Sequence, residues 1–323
     1  MTNMLGVDVG GTKIAAALVD PAGNVLHSLR RETVLGSPDA TLDGIAAAAR
    51  DLMAASGTDP QGVHAIGFGI PGLVDPEKGI GIASVNLGWR DVPVRKGLEA
   101  RLKVACEVDN DVRAGALGEA RFGAARGLQE WVYVNIGTGI SAVILLHGRF
   151  LMGARGLAGE IGHAVLEPDG PMCKCGGRGC FEAVASGPGI AERALAKIKS
   201  GRDSILVRAD STFPPASLDP EAVFGAAERG DAVAVETLEE VGKLVAYALE
   251  HIALAYDPEK IVIGGSIMLS SAVLFGVARE KLHELSRASW VFGRTYSNEL
   301  VVLSALGNNA GVLGAAALVA SRL

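Results

Sequence analysis

The amino-acid sequence predicts an α/β fold built from two similar halves, and three observations point to it. Short runs rich in Val, Leu and Ile alternate with Ala-rich segments of helical periodicity, as in mixed strands and helices. A strand, a glycine turn and a second strand at residues 4–20 are followed by the same pattern at residues 131–146. The chain has 323 residues, about twice the common size of one domain, which leaves room for both halves.

The first half is predicted to open with three strands and then to alternate helices and strands. Apolar runs bounded by Gly, Asn or Asp turns indicate the strands, and Ser-Pro-Asp or Asn-Asp before an Ala-rich run indicates a helix start. In order, the predicted elements are strands at 4–9, 14–20 and 25–29, a helix at 38–55, a strand at 63–70, a short helix after residue 92, a strand at 104–108 and a helix from 110 to 122. The hairpin pattern then begins again, which predicts a domain boundary near residue 122.

The second half repeats the opening hairpin and is richer in helices. A segment rich in glycine and cysteine covers residues 153–179, and residues 202–218, with Pro214 and Pro215, lack periodicity and are expected to form an exposed loop. The predicted elements are strands at 131–136, 140–146 and 261–263, and helices at 188–199, from 219 onward, at 235–256 and at 311–323.

The composition disfavours several classes of protein. Acidic residues number 36 and basic residues 30, and a net charge of −6 disfavours nucleic acid as the main ligand. No stretch of about 18 uninterrupted apolar residues occurs, so no membrane span is predicted. The first strand begins without a basic segment and a cleavable apolar segment before it, and we expect a cytoplasmic protein.

Three predicted strands lead into glycine-rich turns of the kind that hold phosphate groups. Without a Cβ, a glycine lets backbone N–H groups approach an anion, and Lys or Thr adds further donors. Each turn alone is more simply a tight hairpin, whereas the three together favour phosphate binding. Asp8 strengthens this interpretation, because a carboxylate at the end of an apolar strand is costly unless a cation such as hydrated Mg²⁺ meets it. The candidate residues are Asp8, Gly10, Gly11, Thr12, Lys13, Gly137, Thr138, Gly139, Gly264 and Gly265.

Two segments, at residues 67–72 and 137–142, match the G-x-G-x-x-G/A pattern of dinucleotide-binding folds. The first leads into a proline and a turn and the second into a strand, so neither is predicted to open a helix. A dinucleotide-binding fold is therefore disfavoured. The spacing of a Walker A motif is also absent from the sequence.

One histidine and three cysteines have the chemistry of a structural zinc site. His163, Cys173, Cys175 and Cys180 lie within 18 residues, among several glycines that let the chain turn tightly around an ion. Three thiolates and one imidazole complete a tetrahedral zinc shell, which leaves no open position for catalysis. Inert buried thiols and a redox pair are the alternatives.

Several amide, carboxylate and imidazole side chains near these motifs suit a polyhydroxyl ligand. Such groups bind sugar hydroxyls in pairs, and a carboxylate beside a hydroxyl can act as its general base. A helix cap at Asn110–Asp111 and ordinary surface charges at Glu160 and Glu182 are the simpler interpretations. The candidates are Asn86, Asn110, Asp111, Glu160, His163 and Glu182.

Taken together, the motifs resemble those of the ROK family of sugar kinases and related repressors, most closely its bacterial glucokinases. The resemblance extends over nearly the whole chain, through D-V-G-G-T-K at 8–13, I-P-G-L-V-D at 70–75, N-L-G-W at 86–89, D-N-D at 109–111, I-G-T-G-I at 136–140, G-E-I-G-H at 159–163 and C-K-C-G-G-R-G-C-F-E at 173–182. It implies an actin-like ATPase fold, in which two RNase H-like domains face a cleft. The domains would be residues 1–122, with a closing helix at about 310–323 packed on them, and residues 123–309.

The resemblance also implies a role for each candidate residue in an ATP-dependent hexose kinase. The turns at 8–13 and 137–139 would hold the ATP phosphates and Mg²⁺, with Gly264 and Gly265 near the adenosine. Asp111 would take the proton of the sugar 6-hydroxyl as it attacks the γ-phosphoryl group. His163 would give one ring nitrogen to zinc and the other to a sugar hydroxyl. The sugar would be oriented by Asn86, Asn110, Glu160, His163 and Glu182.

The substrate implied by the resemblance is D-glucose, with N-acetylglucosamine, N-acetylmannosamine, mannose and fructose as alternatives, and a homodimer or homotetramer is expected. A sugar-responsive regulator without catalysis is an alternative of another class. It would need a winged-helix segment before the first turn, and only seven residues precede Asp8. A chaperone-like or cytoskeletal ATPase would share the fold but would not need Glu160, His163 and the cysteines. Residues 202–218 look like an insertion relative to many members of the family.

Overall fold

The structure is a computed structural model that describes residues 3–207 and 217–320. The chain divides into two units. The first contains the chain up to Gly127, the segment Ala154–Leu157 and the chain from Asn308 onward, and the second contains Leu128–Gly153 and Ala158–Gly307. The domain limits predicted from the sequence stay predictions. No helix among the described residues is long and apolar enough to cross a membrane.

The first unit contains a five-stranded mixed sheet and a smaller, three-stranded antiparallel sheet. Its strands are β1 Met4–Val9, β2 Lys13–Val19, β3 Val25–Glu32, β4 Ala65–Ile70, β5 Leu73–Asp75, β6 Ile80–Ser84, β7 Trp89–Val92 and β8 Ala105–Asn110. The large sheet has the order β3-β2-β1-β4-β8, with β1, β4 and β8 parallel. This register aligns Asp8 with Gly69, and Gly69 with Asp109, so the carboxyl ends of these three strands meet at one edge of the sheet.

The sheet of the second unit has the same topology. Its strands are β9 Trp131–Ile136, β10 Ile140–Leu146, β11 Arg149–Phe150, β12 Lys260–Gly264 and β13 Val301–Leu303, in the order β11-β10-β9-β12-β13. In each sheet the first three strands along the chain pair antiparallel, in the order third, second, first. Two later strands then extend the sheet beyond the first strand and run parallel to it. The repeated order confirms the predicted α/β class and the duplication inferred from the two hairpins.

Helices complete both units. In chain order they are α1 Pro38–Ser56, α2 Val94–Leu102, α3 Asp111–Phe122, α4 Phe181–Ala185, α5 Gly187–Lys199, α6 Pro220–Glu228, α7 Ala232–Tyr256, α8 Ser266–Ser270, α9 Ala272–Ala288, α10 Trp290–Thr295 and α11 Ala310–Ala320. The long helix predicted from apolar residues at three- and four-residue spacing is α7. Its apolar face, including Leu238, Val245 and Leu249, is buried in the core of the second unit.

The last helix, α11, packs against α3 and against β1 and β4 of the large sheet. A Cβ on Gly67 of β4 would overlap the carbonyl group of Ala315, so only glycine permits this close approach of helix and strand. Gly67 is also the first glycine of the G-x-G-x-x-G match at residues 67–72. That segment continues from β4 toward β5 without opening a helix, as the sequence analysis expected.

Some elements differ from the prediction in extent. The strand predicted at 25–29 continues to Glu32, because polar side chains are tolerated on this almost fully exposed edge strand. The strand predicted from residue 63 begins at Ala65, after a short 3₁₀ turn at Pro60–Gly62. The predicted last residues of the closing helix, 321–323, lie outside the described residues, as do Pro214 and Pro215. The described parts of the predicted loop, 202–207 and 217–218, contain no helix or strand.

The sequence analysis missed the three-stranded sheet β5-β6-β7, the strands β11 and β13 and the helices α4, α8, α9 and α10. The missed strands have two to five residues, which is too short for an alternation of apolar and polar residues to be recognised. The missed helix α9 contains only three buried side chains, at Leu274, Ala278 and Leu282, so its apolar stripe is narrow. These elements therefore depend on tertiary packing rather than on a strong local pattern.

Candidate active site

Two acidic side chains lie at the edge of the first unit's large sheet, where β1, β4 and β8 end. Asp8 is near the end of β1, and Asp111 is the first residue of α3, directly after β8. A Cβ on Gly69 of β4 would lie 3.3 Å from Asp8 Oδ1 and 3.3 Å from Asp111 Cα. A Cβ on Gly311, in the first turn of α11, would also contact the Asp8 carboxylate. The carboxylates thus lie at the amino ends of two helices, where the helix dipole favours negative charge.

Burial and mutual repulsion disfavour two negative charges on this pair. Burial, followed by the negative charge of Asp111, raises the pKa of Asp8 to about 7. Burial also raises the pKa of Asp111 to about 6, although the Val112 N–H, the Arg113 guanidinium and the Asn110 amide act in the opposite direction. A divalent cation at the carboxylates would relieve the repulsion, and oxygen ligands of this kind are those that Mg²⁺ prefers. The donor set at Asp8 therefore fits the predicted Mg²⁺.

Asn110 caps helix α3 and also orients Asp111. Its Oδ1 accepts hydrogen bonds from the backbone N–H groups of Val112 and Arg113, both at 3.0 Å. Its Nδ2 donates to Asp111 Oδ1 at 2.8 Å and to the carbonyl oxygen of Gly72 at 2.9 Å. The helix-cap interpretation of Asn110 is thus confirmed, whereas a contact with sugar stays a prediction.

The first glycine turn is held by its own backbone and by a residue that the sequence analysis did not single out. The Gly10 N–H donates to the Lys13 carbonyl oxygen at 2.8 Å. The Thr33 hydroxyl donates to the Gly10 carbonyl oxygen at 2.8 Å, and the Thr33 N–H donates to the Thr12 carbonyl oxygen at 2.9 Å. No sequence signal marks Thr33, because it follows an exposed edge strand. The carbonyl oxygens of Gly10, Thr12 and Lys13 therefore accept hydrogen bonds from within the protein.

Asn86 lies beside the same turn. It belongs to the loop between β6 and β7, and a Cβ on Gly11 would lie 3.2 Å from the Asn86 Cβ. The first unit thus brings together four of its predicted elements: Asp8, the turn at 10–13, Asn86 and the Asn110–Asp111 pair.

The second glycine turn, Gly137–Gly139, is held by α4 and α5. Glu182 of α4 accepts a hydrogen bond at its Oε2 from the Ile140 N–H at 2.9 Å. The Gly187 N–H, at the start of α5, donates to the Gly137 carbonyl oxygen at 3.0 Å. The only protein atom within 4 Å of a Cβ on Gly137 would be Asn135 Nδ2, at 3.8 Å. An alanine at this position would therefore not clash with the rest of the protein. Space beside this glycine is left for a ligand.

Gly264 and Gly265 follow the neighbouring strand, β12. Gly265 has φ of +88°, and a Cβ there would overlap the backbone of Ile136, so this glycine is required by the packing of the chain itself. Next to it, a cavity of about 420 Å³ is lined by Thr138 and Ser266 at the two strand ends and by Phe224 and Glu192 on helices α6 and α5. Its volume lies within the range of small-molecule sites. The sequence did not indicate the helical residues that line this cavity, because they lie on helices that are distant from one another in sequence.

The predicted metal ligands form one cluster in the second unit. One ligand atom from each of His163, Cys173, Cys175 and Cys180 lies within 4.8 Å of all the others. Cys173 Sγ is 3.7 Å from His163 Nδ1, and Cys175 Sγ is 3.7 Å from Cys180 Sγ. Bonds of about 2.3 Å to a tetrahedral zinc ion place sulfur ligands about 3.8 Å apart, so the spacing of the thiols fits zinc.

The Cys180 thiol of the cluster does not ionise at neutral pH without a nearby cation. Burial raises the pKa of the Cys180 thiol to about 12. A bound metal ion reverses this effect, because a coordinating thiol loses its proton to the metal's charge. The donor set and its electrostatics therefore both fit a metal.

His163 links the cysteine cluster to another predicted site residue. Its Nδ1 faces Cys173, and its Nε2 lies 3.9 Å from Glu160 Oε2. The side chains of His163 and Glu160 are 39% and 50% exposed, so both can reach a ligand from solvent. The two ring nitrogens thus face different partners, as the predicted double role of this histidine requires.

The chain is similar to known proteins over nearly its full length. A model of the ROK family matches residues 4–322. A glucokinase from Thermotoga maritima is 36% identical over 321 residues, which cover 99% of this chain and 98% of the relative. The structure of a ROK family glucokinase from Streptomyces griseus in complex with glucose and AMPPNP matches with a TM-score of 0.83 and 30% identity, covering 98% of this chain and 99% of that chain. A xylose repressor from Bacillus subtilis is 28% identical over 98% of this chain and 76% of its own length.

Proposed function

The chain belongs to the ROK family and is a hexose kinase, and we propose that it transfers the γ-phosphoryl group of ATP to the 6-hydroxyl of D-glucose. The observation that carries the proposal is the pair of carboxylates at the ends of β1 and β8. One of them, Asp111, is oriented by Asn110 and has a pKa near 6, which suits a general base at neutral pH. The similarity to glucokinases supports glucose as the substrate.

In the proposed reaction, Asp111 takes the proton of the 6-hydroxyl as that oxygen attacks the γ-phosphorus. A new oxygen–phosphorus bond forms, the bond from the γ-phosphorus to the oxygen shared with the β-phosphate breaks, and ADP leaves. Asp8 would hold Mg²⁺, which supplies positive charge to the phosphate oxygens. Positioning and electrostatics account for most of the catalysis of phosphoryl transfer, and this site offers both.

Sugar binding is assigned to polar side chains of known orientation. Glu182 has one oxygen fixed by the Ile140 N–H, and His163 has its ring fixed by the cysteine cluster. Zinc at that cluster would be coordinated by four protein ligands, so it would hold the imidazole in place without binding substrate. The residues proposed to contact the sugar are Asn86, Asn110, Asp111, Glu160, His163 and Glu182.

The nucleotide is assigned to the two glycine turns and to the cavity beside the second turn. Backbone N–H groups and the side chains of Thr12, Lys13 and Thr138 would bind the phosphates. The cavity lined by Thr138 and Ser266, next to Gly264 and Gly265, would take the adenosine.

Replacing Gly137 by Ala tests the phosphate assignment without disturbing the fold. The added methyl group has open space within the protein, and the φ of Gly137 lies outside the left-handed region. We expect the KM for ATP to rise at least about tenfold, because the methyl group would occupy the approach of a phosphate, while the melting temperature stays unchanged. Gly225→Ala in α6 is the control, because that position is also open. An unchanged KM for ATP in Gly137→Ala would mean that the turn is only a hairpin.

The preference for glucose is tested by comparing kcat/KM for glucose and N-acetylglucosamine at saturating MgATP. An acetamido group at C2 keeps an N–H that can donate to a carboxylate such as Glu182, but its added volume would displace the sugar from that carboxylate, and the loss of such a hydrogen bond typically costs about 1–3 kcal/mol. We therefore expect a ratio of at least about five in favour of glucose. A ratio below one would transfer the assignment to N-acetylated hexosamines and leave the kinase assignment intact, and mannose, fructose and N-acetylmannosamine complete the panel.

A sugar-responsive regulator without catalysis has the similarity to xylose repressors in its favour, but the similarity to glucokinases is higher, 36% against 28% identity, and favours the kinase. ATP turnover distinguishes the two functions. A kinase consumes ATP faster when its sugar is added, because the sugar accepts the γ-phosphoryl group. A regulator binds the sugar without consuming ATP.

A further inference from the structure

Arg113 forms a buried link that the sequence analysis did not single out. Its Nε donates to Asp109 Oδ1 at 2.6 Å, and one of its terminal nitrogens donates to the Val74 carbonyl oxygen at 3.0 Å. The side chains of Arg113 and Asp109 are only 12% and 10% exposed. The planar guanidinium thus connects three elements: α3, the end of β8, and β5 of the small sheet.

The small sheet carries a residue of the proposed sugar site. β5 pairs with β6, β6 pairs with β7, and the loop between β6 and β7 contains Asn86. Two hydrogen bonds attach β5 and the turn before it to the junction of β8 and α3. One runs from Arg113 to the carbonyl of Val74, and the other from Asn110 to the carbonyl of Gly72. That junction carries Asp111.

We propose that Arg113 is a positioning residue for the sugar, which holds the sheet bearing Asn86 in a fixed place relative to Asp111. The inference rests on the proposed function, because it takes both residues as contacts of the hexose. Arg113 itself is covered by protein and acts on geometry through Val74 and Asp109, while its charge, which lysine would keep, also acts on Asp111. Its loss would displace Asn86 relative to Asp111, and small displacements of binding groups have large effects on an oriented substrate.

Another arginine provides a matched control. Arg95 is also largely buried and also ties the small sheet to β8, through bonds to the carbonyl oxygens of Glu77, Pro76 and Cys106 at 2.9, 2.6 and 3.2 Å. The first two bonds lie at the turn between β5 and β6, and Cys106 lies near the beginning of β8, at the opposite end of that strand from Asn110 and Asp111. Arg95→Lys therefore removes a similar buried fork without touching the proposed link.

The test uses Arg113→Lys and Arg95→Lys in the full chain, with steady-state kinetics, calorimetric titration of glucose and melting temperatures. Lysine keeps a positive charge beside Asp109, so the buried carboxylate is not left unpaired, but a single ammonium does not reproduce the planar fork. For Arg113→Lys we expect the KM and the dissociation constant for glucose to rise about tenfold, with the KM for ATP within twofold of the unsubstituted protein. Arg95→Lys is expected to leave all three constants unchanged.

Other results would overturn the proposal. If Arg113→Lys lowers the melting temperature while the glucose constants stay unchanged, Arg113 serves the fold alone. If both variants raise the KM for glucose equally, any loosening of the small sheet weakens glucose binding, and Arg113 has no specific positioning role. A failure of the proposed function is seen separately, as an absence of hexose phosphorylation in the unsubstituted protein. If Arg113→Lys does not yield folded protein, Arg113→Gln takes its place, with the same expected rise in the glucose constants, because the glutamine amide can donate to Asp109 but is too short to bond Val74 as well.

Discussion

Replacing Asp111 by Asn is expected to lower kcat for hexose phosphorylation by at least about 10²-fold, the usual contribution of a general base. Asparagine keeps the shape of the side chain and can still accept the hydrogen bond from the Asn110 amide, so the site keeps its geometry. We therefore expect the dissociation constant for glucose, measured by calorimetry, to change by less than about threefold. Asp59→Asn, at an exposed carboxylate that caps the short 3₁₀ turn Pro60–Gly62, is the control. Turnover near the normal rate in Asp111→Asn would contradict the assignment of the base.

The pH dependence of kcat/KM, which reports the ionisation of groups in the free enzyme, provides a second measurement of the same assignment. The base acts in its ionised form, and burial raises the pKa of Asp111 to about 6. Activity should therefore rise with pH through about 6 and fall as the carboxylate is protonated below it. Asp8, whose pKa burial raises to about 7, is coupled to Asp111 through charge, so the profile reports apparent values of the pair. A kcat/KM that stays constant between pH 5 and pH 8 would exclude a carboxylate with this pKa as the base.

Removing the metal from the cysteine cluster is expected to have the largest effect on stability. We expect one zinc ion per chain by metal analysis of the purified protein and a loss of that zinc in Cys175→Ser. Structural zinc contributes about 10 kcal/mol to the folding of small sites. In this chain the two apolar cores also stabilise the fold, so we expect the loss of zinc to lower the free energy of unfolding by less than that. A fall in melting temperature of at least about 5 °C is therefore expected.

The matched variant for the metal is Cys106→Ala, at a buried cysteine outside the cluster. It should keep its zinc even if it loses some stability through the cavity that it creates. Fully active protein that contains no zinc would show that the cluster is a set of inert thiols. A loss of zinc that leaves the KM for hexose unchanged would contradict the proposed role of His163 in holding the sugar.

Local patterns were sufficient to predict the elements that depend on strong local signals. The bounds of β1, β9 and β10 follow from apolar runs that end at glycine turns, and α7 follows from its apolar periodicity. The cluster of His163 with three cysteines was predicted because its members are close in sequence and share one chemistry. Such features are encoded within a few residues of each other, so they can be read without knowledge of the rest of the chain.

The arrangement of the carboxylates was decided by strand register. Asp8 and Asp111 are about a hundred residues apart in sequence, and they become neighbours only because β1, β4 and β8 are parallel and end at the same edge, with Gly69 between them. Burial raises the pKa of both carboxyls and the charge of Asp111 adds to it at Asp8, and neither effect is contained in a local pattern.

The sequence by itself determined the α/β class, the duplicated hairpins, the grouping of the candidate metal ligands and the types of side chain available for catalysis, because each depends on nearby residues or on composition. Only the tertiary structure decided the bonds that hold those side chains in place: Thr33 on the first glycine turn, Glu182 on the second, and Arg113 between the small sheet and α3. In each of these bonds at least one partner is a backbone group distant in sequence. Every residue except proline offers the same carbonyl and N–H groups, so the choice of partner depends on which strands and helices pack together, and not on the identity of the residue that provides the group.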